Sequence, residues 1–536
     1  MGRTSSATTS TRSAHGVAVK SIARGIALVW ICCSCSVWAA AAADHADPTT
    51  PAAASGESEN VAASAREDSR SRRGEVKVES RSIPYTVTAG TLTIRDANDT
   101  AVASMFYIAY VADRKPGENR PVTFAFNGGP GTSSMWLLMS GLGPIRVDAS
   151  GDQSLPPAPY RILTSDASIL DKTDLVFLDA IGTGLSRSLG KAKPNDFWTV
   201  DADIDAFAKA LRRYVDINKR WNSPKFLMGE SYGALRAAGL AHVLQEQGMQ
   251  TNGVVLISAV LNMSVYGWRS DQEFVRYLPT FAAVAAYHKK LAHVPTDLPA
   301  FLKAAEDFAL GEYLGALALG DRLPTTDRDR IATQLSGLTG LSPAFLIQSH
   351  LRVPEARFRQ ELLRNENRIV GRIDARFAGV GGDATAGSPD YDAAETAIRS
   401  AFISAVNAYL FDTLGYRTPL RYRPEYYEVI SDAWDFRHRQ VGSEEVTAAT
   451  VNLDLASVMR QNPRLRVLEV HGYYDMATPF FGAESDLEHL ELDSALRPNL
   501  RIIHYESGHM IYIEPGSRQR LSRDLKKFYD EVVQHP

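Results

Sequence analysis

Ser231, Asp475 and His509 are three residues that together can carry out acyl chemistry, and they occur in a usable order. Ser231 lies in Gly229-Glu230-Ser231-Tyr232-Gly233, between a strand-like run at 225–228 and a helix-like run at 234–247. Glycine on both sides permits a turn too tight for larger side chains. Such a turn lifts a serine hydroxyl off the end of a strand and points it out of the fold. The first amides of the following helix then face any oxyanion that develops. A serine needs a base to take its proton and an acid to orient that base. In a doubly wound hydrolase both follow the serine, acid first, each just beyond a strand. Asp475 comes after the strand-like run 466–471, and His509 after 501–505. His471 ends its strand and reads as structural; His242, His288, His350 and His504 read as surface or structural histidines.

The oxyanion hole is expected at the amide of Tyr232 and at a second amide from an earlier loop. Asn127-Gly128-Gly129-Pro130-Gly131 directly follows the apolar strand 122–126, which makes Gly129 the candidate. This loop lacks the Gly-x-x-x-x-Gly-Lys-Ser/Thr spacing of a phosphate cradle, and no Gly-x-Gly-x-x-Gly follows a first strand. No metal-ligand spacing occurs, so no metal and no cofactor are expected.

These residues need a scaffold. Short strands at 85–88, 91–94 and 103–111 alternate in polarity and suggest an antiparallel edge meander. Apolar runs at 122–126, 174–178, 225–228 and 253–260 alternate with helical patterns, the clearest at 201–214. Together they predict an α/β architecture, a mostly parallel central sheet with helices on both faces. Strand character then stops over 263–450, a helix-leaning stretch with a glycine-rich break at 379–387. It reads as a helical cap inserted into the core, which resumes over 451–536 and ends on an amphipathic helix at 518–533. The first part of the core spans 79–262.

The chain has 536 residues, with 45% hydrophobic and 22% charged residues and a net charge of -4, so nothing marks it for nucleic acid or an anionic membrane. Residues 1–43 read as a secretory signal: Arg12, Lys20 and Arg24 precede the apolar run 25–37 and the small residues 39–43. The apolar run is shorter than the roughly 20 residues a membrane span needs, so no span is expected in the mature chain. All three cysteines, Cys32, Cys33 and Cys35, fall inside this segment. The stretch 44–78 reads as a disordered linker. The expected location is secreted or periplasmic, and the pattern is compatible with a homodimer.

The motifs resemble the serine carboxypeptidases, which implies the α/β-hydrolase fold. The resemblance rests on Asn127-Gly-Gly-Pro-Gly-Thr-Ser-Ser134, Leu178-Asp-Ala-Ile-Gly-Thr-Gly-Leu-Ser186, Gly229-Glu-Ser-Tyr-Gly233 and Gly508-His-Met510 with Pro515 beyond it. It covers roughly 80–262 and 455–536. It implies release of single residues from peptides with a free C-terminal carboxylate, best at acidic pH. It implies the triad Ser231, Asp475 and His509, and an oxyanion hole at Gly129 and Tyr232. Asn127, Gly128 and Glu230 would bind the terminal carboxylate. A Glu can join such a site only when protonated, because two carboxylates repel. Thr132 stands where the family often has Cys, and Ala125 where it has Trp. Gly141 stands where a second Glu usually shares a proton with the first. That last departure motivates an alternative, an esterase or acyltransferase with the same triad.

Overall fold

The computed structural model describes residues 62–534 except 116, 150–154, 156, 267–269, 443, 444 and 447. The signal segment and residues 44–61 of the expected linker lie outside the described residues. The central sheet contains β1 (Ser69–Val78), β2 (Arg81–Arg95), β3 (Ala101–Ala112), β4 (Val122–Phe126), β5 (Asp174–Leu178), β6 (Lys225–Glu230), β7 (Gly253–Ile257), β8 (Arg466–Gly472) and β9 (Leu500–Tyr505). Their spatial order is β1-β2-β3-β5-β4-β6-β7-β8-β9, and the short pair Arg187–Ser188 adds to the edge of β3. The pairs from β1 to β5 are antiparallel. Every pair from β5 onward is parallel.

The meander differs from the expectation in two places. Residues 69–78 are not linker but β1, paired in register with β2 from Ser69↔Gly90 to Val78↔Arg81. Ser69 to Gly74 carries no apolar alternation, so the strand has no local signature; backbone pairing and the burial of Val76 and Val78 hold it. The two short strands expected around Gly90 are one 15-residue strand. A Cβ on Gly90 would lie 3.0 Å from both the Asp68 carbonyl and the Tyr107 hydroxyl, so the glycine admits close neighbours without ending the strand.

The parallel strands read as continuous apolar runs because both faces are covered. Along β7, Val255 and Ile257 join one core, while Val254 and Leu256 join the other. The first core packs the C-terminal helix α5 (Pro515–Gln534) through Leu521, Leu525 and Phe528. The second packs α1 (Val200–Ile217) and α2 (Tyr232–Glu246).

Residues 263–450 leave the sheet after β7 and return before β8. Asn262 bridges Thr450, the Met263 amide donates to the Ala449 carbonyl at 2.8 Å, and the Val451 amide donates to the Leu261 carbonyl at 3.0 Å. The ends of the excursion thus lie side by side, and β7 and β8 pair as neighbours despite the intervening sequence. Within it run helices α3 (Asp271–Tyr287) and α4 (Ala393–Asn407) among others, together with two short hairpins. Its core includes Phe281 stacked on Phe358 at 4.1 Å, and it also takes in Tyr474, Met476 and Phe480, which flank Asp475. The excursion is therefore packed onto the sheet end that carries the candidate acid.

Candidate active site

Ser231 occupies the turn between β6 and α2 with φ 61° and ψ −130°, a conformation costly for a residue with a side chain. The surrounding contacts force it. A Cβ on Gly229 would lie 1.9 Å from the Gly233 carbonyl oxygen, and one on Gly233 would lie 2.7 Å from the Phe126 carbonyl oxygen. The Ser231 amide donates to the Ile257 carbonyl at 2.9 Å, and its carbonyl accepts from Ala234 at 2.8 Å. Both flanking glycines are thus required by backbone proximity.

Asp475 and His509 follow β8 and β9, as their sequence positions suggest. His509 Nδ1 lies 2.6 Å from Asp475 Oδ2. A carboxylate opposite Nδ1 places the proton there and leaves Nε2 unprotonated to act as a base. Asp475 is fully buried and richly bonded. Its Oδ1 accepts the amides of Ala477 at 2.8 Å and Thr478 at 3.0 Å, and the Thr478 hydroxyl lies 2.8 Å from Oδ2. Burial alone would raise the Asp475 carboxyl; His509 and His471 instead hold it below the usual carboxylate range. Among the described residues the Ser231 hydroxyl forms no hydrogen bond. Such bonds commonly close only with substrate present.

The loop of Asn127 to Gly131 lies backbone to backbone on the start of α2. A Cβ on Gly128 would come within 2.5 Å of the Tyr232 nitrogen. Gly129 has φ +108°, which glycine tolerates. Among the described residues neither the Gly129 nor the Tyr232 amide has a hydrogen-bond acceptor. The Leu178 to Ser186 segment supports this loop: Asp179 accepts the Ser134 amide at 2.8 Å, and the Phe106 amide donates to the Ser186 hydroxyl at 2.8 Å.

Glu230 is buried beneath the elbow, and Asn127 Nδ2 donates to its Oε1 at 2.8 Å. The Asn127 side-chain oxygen in turn accepts the Leu137 amide at 3.0 Å, which fixes the amide orientation. Burial pushes the Glu230 carboxyl up to about 7, against the lowering pull of His509, Tyr512 and Asn127. Its Oε2 makes no hydrogen bond of full geometry, but the Tyr512 hydroxyl, which burial keeps neutral, stands close enough to interact with the Glu230 carboxyl. Tyr512, three positions after His509, was not singled out from sequence. The expected second carboxyl position, Gly141, faces Ser165, Arg146 and Arg518 instead.

The excursion contributes a strap. The carbonyl of Arg372 accepts the Met476 amide at 3.0 Å, that of Ile373 accepts the His509 amide at 2.7 Å, and the Ala375 amide donates to Tyr474 at 2.9 Å. Asp392 secures it by accepting the amides of Arg372 at 2.9 Å and Ile373 at 3.1 Å. A second segment covers the glycine loop: the Tyr426 amide donates to the Gly131 carbonyl at 2.8 Å, and Trp434 packs edge-on against Tyr232 at 5.3 Å. Neither contact has a local sequence signal. Among the described residues no group of three or more His, Cys, Asp or Glu could hold a metal ion, and no helix is long and apolar enough to cross a membrane.

The sheet order, the serine elbow and the buried Asp–His pair define an α/β hydrolase. Over residues 80–265 the chain matches the serine carboxypeptidase family model. It is 28% identical over 166 residues to serine carboxypeptidase-like 36 of Arabidopsis thaliana, which is 30% of this chain and 32% of the relative. It is 30% identical over 148 residues to the pheromone-processing carboxypeptidase KEX1 of Saccharomyces cerevisiae, 26% of this chain and 19% of that one. The matches thus span about a third or less of these relatives. The crystal structure of KEX1(delta)p, a prohormone-processing carboxypeptidase from Saccharomyces cerevisiae, superposes with a TM-score of 0.52 at 15% identity. That superposition covers 83% of this chain and 91% of the other, and it shows the shared fold. The likeness to serine carboxypeptidases therefore rests on sequence over 80–265 and on fold over most of the chain.

Proposed function

We propose that the chain is a secreted or periplasmic serine carboxypeptidase that removes C-terminal residues from peptides. The observation that carries this reading is Glu230. Its carboxyl is buried, rides up to about 7, is held by Asn127 and sits in the residue before the nucleophile. Such a group is protonated in mildly acidic solution and can donate to a peptide's terminal carboxylate. Asn127 and the Gly128 amide supply the other donors, and the Tyr512 hydroxyl stands beside Glu230.

In this reading His509 Nε2 takes the Ser231 proton as Oγ attacks the last peptide carbonyl. The Gly129 and Tyr232 amides receive the oxyanion. His509 then gives the proton to the leaving amine, and the acyl group remains on Ser231. Water, deprotonated by His509, releases it. Asp475 stays ionised throughout and holds the imidazole in place. The leader at 1–43 supports export. A second reading, an esterase or acyltransferase with the same triad, is favoured by one observation: Gly141 supplies no second carboxyl.

The test is stepwise loss of C-terminal residues from a peptide, followed by mass spectrometry. The wild type is expected to trim and to be labelled by a fluorophosphonate; Ser231→Ala is expected to do neither. Trimming retained in Ser231→Ala contradicts the proposal, whereas labelling and ester turnover without trimming favour the second reading.

A further inference from the structure

Beside Asp475, reaching the same Oδ2 that His509 holds, lies a buried pair that the reaction scheme does not use. Glu469 and His471 stand two residues apart on β8, so both point to one face of a strand whose other residues after Arg466 are apolar. Both side chains are 0% exposed. His471 Nδ1 lies 2.7 Å from Glu469 Oε1, and its Nε2 lies 2.6 Å from the Thr478 carbonyl oxygen. Nε2 is also 3.2 Å from Asp475 Oδ2.

These partners fix the protons. A carbonyl oxygen accepts only, so Nε2 must carry hydrogen. Nδ1 faces a carboxylate, and a second carboxylate stands at Nε2. With both carboxyls ionised, the ring is satisfied on every side only when both nitrogens donate. We propose that His471 is a permanently cationic positioning residue for the triad: clamped by Glu469, it holds Asp475 ionised and moderates the basicity of His509. The inference rests on the triad reading above but not on the peptide substrate.

The surroundings agree. Burial works against a charge on His471, yet Glu469 and Asp475 outweigh it and raise the ring to about 10. On the neighbouring strand, His504 is opposite His471 in register, and burial together with the His471 charge depresses it to about 3. His504 is therefore neutral and adds no competing charge. Glu484 lies 3.9 Å from His504, and burial with its acidic neighbours raises it to about 7. Arg520 adds positive charge beside His504, and Glu230 faces Asp475 and His509 from β6.

The consequence is directional. A cation touching Asp475 competes with protonated His509 for that carboxylate. Removing that cation leaves Asp475 Oδ2 to His509 alone, which sets the direction of the test.

The rate of Ser231 phosphonylation by a fluorophosphonate, measured against pH, reads the base without any assumption about substrate. In His471→Gln the acid limb should move up by roughly half a unit or more, a loss of about threefold in rate at a fixed acidic pH. Glu469→Gln discriminates further. If Glu469 serves to keep His471 charged, removing it discharges the ring and moves the limb up as well. If Glu469 acts on His509 simply as a negative charge, removing it moves the limb down, and the proposal is wrong. An unchanged limb in both variants also overturns it. Should the variants fail to fold, the ring nitrogen shifts of the wild-type chain decide: both His471 nitrogens protonated at pH 7 to 8 supports the proposal, and a neutral tautomer refutes it. A wild type that is not labelled at all sinks the triad reading, while the nitrogen shifts still test the cation.

Discussion

The amide of His509 donates to the carbonyl of Ile373 at 2.7 Å, which ties the candidate base to a segment 136 residues earlier in the chain. The bond belongs to a tight crossing. A Cβ on Gly508 would lie 2.4 Å from the Asp374 Cβ and 2.6 Å from its Cα. The excursion at 263–450 therefore helps to set the position of the base as well as covering the site.

That crossing gives a first prediction. Gly508→Ala must push the strap away from the His509 loop, because the atoms it meets include backbone. Overpacking of this kind costs about 1–3 kcal/mol. We expect a lower melting temperature and at least a tenfold slower labelling of Ser231. A variant that labels at the wild-type rate would show that the strap does not position the base.

The strained Ser231 gives a second. Its φ of 61° with ψ of −130° suits glycine far better than alanine. Both Ser231→Gly and Ser231→Ala should be inactive, but the glycine variant should be the more stable, by about 1 kcal/mol after glycine's unfolded-state entropy is counted. Denaturant melts of the two compare them directly. Equal midpoints would mean that the elbow is unstrained.

Glu230 gives a third, with a definite sign. Its carboxyl rises from an ordinary value of 4.5 to about 7 on folding. Between those values the folded chain binds more protons than the unfolded one, so this group's contribution to stability falls as pH rises through the window. Glu230→Gln removes the buried charge while leaving an oxygen for Asn127. It should be more stable than the wild type at pH 8 and should lose that advantage by pH 5. An advantage independent of pH would show that Glu230 does not titrate in this range.

Much of this was legible in advance, for identifiable reasons. The strands ending at Phe126, Glu230, Ile257 and Gly472 are buried on both faces, so their apolar runs stand out from the helices between them. The elbow declares itself through Gly229 and Gly233, each excluded from larger residues by a backbone contact. β1 escaped notice because Ser69 to Gly74 is held by pairing with β2, and pairing leaves no pattern in the paired sequence. His471 was read as structural because it ends a strand. The usable signal was Glu469 and His471 at alternate positions of the apolar buried run after Arg466, where two ionisable side chains must answer to each other or to a site. Tyr512 and the strap at 372–375 depend on contacts made across the fold, which no local window contains.

The carboxylate reading can be tested most directly with one peptide in two forms, free C-terminal acid and C-terminal amide. Purified mature chain would be followed by mass spectrometry on both from about pH 4 to 8, with Ser231→Ala as control. The expected result is stepwise trimming of the acid form alone, strongest at low pH and declining as pH passes about 7, where Glu230 ionises. Equal trimming of acid and amide, or none of either from a chain whose Ser231 still takes the fluorophosphonate label, would contradict it.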